Sequence, residues 1–460
     1  MKKSRPGRLA TAALSLAAIA SSPALAQDGT GIRGNLSFST GLELSDNPFF
    51  ISNPDSTEFT SVTDLGFSVN SETKVDQLRF TLGIGIEGRE GGGATNADAL
   101  DIVRQSAAAS YVRTGANSRL SLSGRFNEAD LDDEAFGFFV DGAFDPDALI
   151  VDGGSREFTR LSAAFSTGID APFGVDLSFS TSASDYIGTT DDDLVNTDTT
   201  RLDAVARFQI NPATTARLFA NQISTDFEDP TDTSRDFLAI GASVTTETRD
   251  GLTLSAGLSL DDSETFNGNT PDGSEDGIGL TFGAEQARPD GALRFDVSSR
   301  VDETGRRSIA SVSRDYVLPT GAMTLSLGVA DQENSDTEFT TSIDYSRETP
   351  GGTLTANIVQ SPSTDEGLAL LNTSVELGYN APIDPVSSWG ASFSYGASEL
   401  FGGGDADTRT SATIRYTRDL NKDWDLNAGL RVRRVDDSED GAISSNTLFV
   451  NIGRDFSFGF

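Results

Sequence analysis

From Arg79 to Glu87 the chain alternates without a break, with Phe80, Leu82, Ile84 and Ile86 on one parity and Arg79, Thr81, Gly83, Gly85 and Glu87 on the other. A period of two marks a strand, because successive side chains point to opposite faces of a sheet. The pattern returns along the whole chain: with Leu36, Phe38, Leu42 and Leu44, with Leu120, Leu122 and Phe126, with Leu252, Leu254, Leu258 and Leu260, and with Met323, Leu325, Leu327 and Val329. Near the end it sets Trp424, Leu426, Ala428, Leu430 and Val432 against Asp425, Asn427, Gly429, Arg431 and Arg433. Such strands have one greasy face and one charged or small face, so the fold must give each face its own surroundings.

The connections say which surroundings. Short turns near 71–76, 114–118, 168–173, 211–214, 247–251, 287–291, 317–321, 349–352, 380–387 and 418–423 alternate with mostly longer, acidic connectors near 46–57, 88–100, 130–154, 188–197, 228–233, 261–275, 302–305, 331–336, 361–366, 400–407 and 436–444. A stack of β-sandwiches gives no reason for that alternation, and a solenoid would repeat in sequence rather than in hairpin length. A transmembrane β-barrel requires it, since one rim carries tight turns and the other longer loops. The reading is an all-β, antiparallel up-and-down barrel of about 22 strands, or about 18–20 if hairpins merge. The weakest segment is Arg306 to Val317, where either parity puts an Arg or Asp among the apolar positions. A bilayer also explains why only 37% of residues are hydrophobic, because lipid covers alternate positions while the rest wet a lumen.

The first residues set the compartment. Lys2, Lys3, Arg5 and Arg8 precede an apolar run from Leu9 to Ala20, and Ala24-Leu25-Ala26 gives a small-x-small cleavage pattern. This predicts a secretory signal peptide over residues 1–26 and a mature barrel over 27–460. The run is too short to span a bilayer as a helix.

The end of the chain reads NTLFVNIGRDFSFGF, with Leu448, Val450, Ile452, Phe456, Phe458 and Phe460 on one parity. It resembles the assembly signal of Gram-negative outer-membrane barrels, with Asn451, Gly453, Phe456, Phe458 and Phe460 in the signal's places. The resemblance implies an outer-membrane location, contact with lipid and lipopolysaccharide, and recognition by the barrel-assembly machinery. A second resemblance lies at Gly41, Glu43, Ser45, Asp46 and Asn47, which look like the end of the first strand in barrels associated with exopolysaccharide export.

Composition restricts what such a barrel does. The chain has no Cys and no His, which removes Ser-His-Asp triads, thiol nucleophiles, disulfides and imidazole or thiolate metal sites, so no enzyme and no cofactor is expected. A net charge of −36 argues against nucleic acid as a partner. Strand pattern begins almost at Ile32, which predicts a barrel without a plug domain. The expectation is a porin-like channel for small polar solutes or an exported polysaccharide, or else a structural or docking barrel whose lumen is closed by loops.

Candidate pore-lining residues on the polar parity are Arg79, Arg207, Arg294, Arg415, Arg431 and Arg433, either simply wetting the wall or setting a transverse field. The connector over 130–154 holds Phe136, Phe138, Phe139 and Phe144 among Glu134, Asp141, Asp145 and Asp147. Its rings gain free energy by leaving water, in the lumen, against a second copy or as a cap over the mouth. General porins, which this hairpin order resembles, fold their third outer loop into the barrel, and that resemblance implies a constriction at which the four acids lean the pore toward cations.

Overall fold

The computed structural model describes residues 31–51, 57–90, 101–131, 137–140, 143–191, 193–268, 270–365, 367–437 and 441–459. The expected leader and Phe460 lie outside these residues. A single 22-stranded antiparallel sheet closes on itself: each strand pairs with its neighbours in sequence, and the first, Ile32–Ser45, pairs with the last, Gly441–Gly459. This is the larger of the anticipated strand counts. The doubtful segment is a full strand, Gly305–Leu318, in register with both neighbours. Its charges sit on both faces. Arg307 points inward and lies 3.3 Å from Asp302. Arg314, on the outward parity, reaches back to Asp290 at the short-turn rim and covers the Tyr316 ring at 4.6 Å, so a long stem carries the charge out of the apolar belt.

The two faces are inverted relative to a water-soluble domain. Leu258 and Leu260 are 53% and 66% exposed, whereas Ser259 and Asp261 on the same strand are 5% and 2% exposed. Leucine outside and aspartate inside is stable only when hydrocarbon surrounds the barrel and the polar groups meet one another within it. Toward the short-turn rim the outer face carries paired rings, Phe173 with Phe208 at 5.1 Å and Tyr379 with Trp389 at 5.3 Å, as an aromatic girdle at a membrane interface does. The chain is a transmembrane β-barrel.

Several of the expected long connectors are strand instead. Leu252–Asn267 and Thr270–Arg288 run through the predicted 261–275 loop and turn around Gly268, whose φ of +60° suits glycine. Strand likewise occupies most of 361–366 and 436–444. Above the bilayer both faces of a hairpin are wet, so polar residues on either parity extend the ladder without cost, and an acidic composition no longer signals a loop. The segment between Asp130 and Ser155 is different. It leaves the wall, forms a two-stranded hairpin from Phe139–Val140 and Ala143–Phe144, and continues into a 3-10 turn at Pro146–Leu149.

Closure depends on contacts at both ends of the seam. At the long-loop rim the Asp46 carboxylate accepts from the backbone and side-chain nitrogens of Asn446, each at 2.7 Å. The Asn47 side chain bridges Ile51 and the Ser444 carbonyl. Ser45 meets Ser445 and Thr447 at 3.2 Å. Near the opposite rim the Phe458 ring lies over Gly34, where any Cβ would stand 2.1 Å from it, and stacks on Phe67 at 6.4 Å. The Ser45-Asp46-Asn47 tripeptide is therefore a clasp across the seam. Replacing Asp46 and Asn47 together by Ala is expected to cost about 2 kcal/mol, as loss of charge-assisted bonds does, and to lower the temperature at which the barrel loses its fast, folded gel migration. An unchanged transition would contradict the clasp.

Candidate functional site: the lumen and its inserted loop

The strands direct one parity of side chains into the lumen, and the insert between Asp130 and Ser155 joins them there. It springs from the fifth and sixth strands, Ser118–Asp130 and Ser155–Thr167, and touches the nineteenth and twentieth, Ser387–Leu400 and Asp407–Asp419. Two features of that far wall receive it. Gly396 has no side chain, and the space its Cβ would fill is taken by Phe138 and Leu149, whose atoms lie 2.7 and 2.9 Å from that point. The Arg409 guanidinium donates to the Ala148 carbonyl at 3.0 Å. Phe138, Phe139 and Phe144 pack on one another at 5.9–6.2 Å, so the insert carries a small apolar core of its own. Gly396 lies four residues below the end of its strand, so the rings enter the mouth rather than cap it. A cavity of about 160 Å³ remains beside them, lined by Phe138, Asp147, Arg156, Glu376, Arg409 and Ser411 among others.

Charge ties the insert to its own side as well. Arg156 forms an ion pair with Asp145 and donates to Ser184 Oγ at 2.9 Å, while the Tyr186 hydroxyl donates to Asp147. At its end, Asp152 accepts from the hydroxyl of Thr189 and the backbone N–H groups of Thr190, Asp191 and Gly153. These bonds outweigh the burial that opposes them and hold its carboxyl at about 2. Asp147 behaves in the opposite way. Burial first, and the neighbouring Asp145 second, raise its carboxyl from an ordinary 3.8 to about 7.

The expected acidic constriction is thus altered. Glu134 and Asp141 lie outside the described residues. Asp145 is neutralised by Arg156, and Asp147 is pushed toward its uncharged form, so neither presents the open negative charge on which a cation lean was expected. A carboxylate brought into a crowded, partly dry site either finds a guanidinium or takes up a proton.

The predicted arginines all face the lumen but do not form one group. Arg207 is paired with Asp176 at 2.6 Å, and Arg294 with Glu285 at 2.9 Å and Asp315 at 2.8 Å. Arg431 and Arg433 flank the seam on one strand, Arg431 beside the luminal ring of Phe449 at 5.7 Å and Arg433 under Phe50 at 4.7 Å. Arg415 lies by Gly390, whose Cβ would stand 3.4 Å from its Nε. Arg79 stands apart on the third strand, Asp76–Glu90, in an open pocket with Arg125 and Arg160. In the terminal signal, Asn451 faces inward opposite Asn427, Gly453 leaves room for the Asp425 carboxylate, and Phe456 and Phe458 face outward.

Reading the chain alone missed Arg156, Tyr186 and the glycine seat at 396. Arg156 was visible in principle, since it shares the luminal parity with Phe158 and Arg160 in a strand that opens directly after the insert.

No family model matches the chain, and no curated protein matches it. Solved structures do match its fold. The FrpB iron transporter from Neisseria meningitidis superposes with a TM-score of 0.60 over 94% of this chain and 83% of that chain at 12% identity. The ferric-catecholate import receptor Fiu from E. coli K12 gives 0.54 over 94% and 82% at 14% identity. A mutant ferric enterobactin receptor, PfeA, from Pseudomonas aeruginosa gives 0.54 over 94% and 82% at 11% identity. At these identities the likeness is one of fold. The neighbours are transporters and receptors, not enzymes.

Docking of the insert is expected to depend on pH. Asp147 faces Asp145 on the insert, Arg156 and Tyr186 on adjacent strands, Asp365 at a strand end, and Glu376 and Arg409 across the cavity. Because its carboxyl is raised in the folded protein, its contribution is complete below its ordinary value of 3.8 and is lost as pH rises through about 7. A nitroxide attached at Ala148→Cys should be immobilised at pH 5 and gain a mobile component by pH 8. With Asp147→Asn added it should stay immobilised throughout. The same spectral change in both proteins would exclude Asp147 as its origin.

Proposed function

We propose that this barrel is a channel for small polar solutes across the outer membrane, narrowed by the insert seated in its mouth. What carries the reading is the docking of Phe138 and Leu149 at Gly396, together with Arg409 on Ala148, which places a connection of one wall against another inside a polar lumen. Transporter barrels of this strand number commonly hold a plug. Among the described residues of this chain, the insert between Asp130 and Ser155 is the segment that leaves the wall for the lumen. The luminal face here, rich in Ser, Thr, Asp and Arg, suits hydrated solutes generally, an exported sugar chain included. A docking barrel closed by the insert is the competing reading, and conductance separates the two.

In this reading residues 1–26 direct export and are removed, residues 27–460 form the barrel in lipid and lipopolysaccharide, and the long-loop rim faces outward. Deleting 134–151 is expected to raise single-channel conductance in a planar bilayer about twofold or more, as widening a constriction does, and to admit larger neutral sugars. Unchanged conductance and selectivity from a folded deletion barrel would end the constriction reading. No conductance from either protein would favour the docking barrel.

We also assign the terminal strand to assembly. Changing Phe456 and Phe458 to Ser should leave export intact while unassembled protein collects in the periplasm, because the closing strand loses the ring that covers Gly34 and stacks on Phe67. Normal amounts of heat-resistant barrel in the membrane would rule that role out.

A further inference from the structure

The luminal glycines that house rings differ in where the ring comes from. At Gly241 and Gly429 it belongs to the residue directly opposite on the next strand, Phe219 and Phe449. The wall fills those hollows by itself. At Gly396 the directly opposite residues are polar, with Ser374 of the eighteenth strand, Leu368–Asp384, on one side and Arg409 on the other. Its ring comes from the insert instead, as Phe138 with Leu149 beside it. The wall on its own therefore offers a hollow between a hydroxyl and a guanidinium. A second row lies next to it toward the short-turn rim, where Glu376, Ser394 and Ser411 stand opposite one another across three strands. None of these three makes a hydrogen bond or ion pair among the described residues.

The insert fits this place imperfectly. It fills the hollow and engages Arg409 through the Ala148 carbonyl at 3.0 Å, yet the Oγ of Ser374, a residue only 1% exposed, has no hydrogen-bond partner among the described residues. A buried hydroxyl left unbonded is unfavourable, and a seat made only to hold the insert has no need of one. Between Phe138 and the second row a cavity of about 160 Å³ remains, room for one six-membered ring. We propose that Ser374, Gly396 and Arg409, with Glu376, Ser394 and Ser411 beside them, form a binding site for a hydroxyl-bearing ring of hexose size, and that the insert occupies it as an internal competitor. The apolar C–H face of the ring takes the hollow as Phe138 does, a ring oxygen or hydroxyl replaces the Ala148 carbonyl on Arg409, and other hydroxyls donate to Glu376 and bond Ser374. A linear polyol has the hydroxyls without the flat face. This deepens the channel reading by naming the class of solute and what moves the insert, and it rests on that reading for passage though not for binding.

The test titrates the detergent-solubilised full barrel, carrying the nitroxide at Ala148→Cys, with glucose, galactose and mannose at pH 5, and with sorbitol as the ringless control. At least one hexose should raise the mobile fraction of the label saturably, and sorbitol at equal concentration should not. Deleting 134–151 removes the competitor, so the affinity for that hexose by calorimetry should rise about tenfold, because a site that is mostly occupied shows only a fraction of its intrinsic affinity. Ser374→Ala should leave the label immobilised without sugar, since the insert makes no bond to that hydroxyl, and should weaken hexose binding about fivefold, as loss of one hydrogen bond does. A hexose response no larger than that to sorbitol, equal affinity with and without the insert, or equal hexose affinity in wild type and Ser374→Ala would overturn the site. If the deletion barrel does not fold, the label and Ser374→Ala decide the matter in the full chain. Because binding is read without a membrane, a barrel that binds a hexose but does not conduct would refute the channel and leave the site standing.

Discussion

Hydrocarbon cannot hydrogen-bond a peptide group, and everything else in this molecule follows from that. An open sheet edge in lipid would leave a column of N–H and C=O groups unpaired at several kcal/mol each. The strands therefore have one acceptable arrangement, a closed cylinder, and the chain must bring residues near its two ends into register. Hairpin pairing is local everywhere else. Closure alone joins segments some 400 residues apart, so the last strand has to align Phe456 with Leu36 and Thr447 with Ser45 across almost the whole length of the chain. The seam concentrates what a correct ending requires: a ring over a glycine at one end, and a carboxylate, two amides and three hydroxyls at the other.

The lumen shows the same economy with small residues. Gly241 and Gly429 leave space for the luminal rings of Phe219 and Phe449, as Gly396 does for Phe138. At these three positions the missing side chain leaves space for a ring projecting from a neighbouring strand or loop. Charge is handled in a similar fashion, with acids and arginines set across strands, and with Asp147 pushed toward its uncharged form where burial in the insert and the neighbouring Asp145 oppose its charge.

Most of the fold can be read from the chain because its governing pattern is strictly local: alternation fixes face, and turn residues such as those near 168–173 and 319–320 fix hairpin ends. What escaped the reading was non-local or ambiguous in composition. Asp, Ser and Thr around 261–275 suit a wet loop and a wet strand equally, and only the ladder decides. The Ser45-Asp46-Asn47 run resembled a family mark, yet its partners, Ser445, Asn446 and Thr447, come from the far end of the sequence, where no local pattern points to them. The insert was recognisable by its phenylalanines, but its seat at Gly396 was not, because an isolated glycine in a strand carries no indication of what will fill it. Likewise the luminal parity of Arg79 was plain, whereas its company with Arg125 and Arg160 depends on the register of four strands.

A wide cylinder held by perimeter hydrogen bonds resists stretching along its strands but is soft when squeezed out of round, since flattening it bends the sheet without breaking a pair. The insert changes that. It is anchored by Asp145 and Asp152 on one side and held by Arg409 and the Gly396 hollow on a wall seven strands away through the seam, measured from the fifth strand to the twentieth. It is therefore a strut as well as an obstruction. Since one foot of the strut contains Asp147, whose carboxyl burial and the neighbouring Asp145 raise to about 7, the grip of the strut on that wall is expected to loosen as the carboxyl loses its proton.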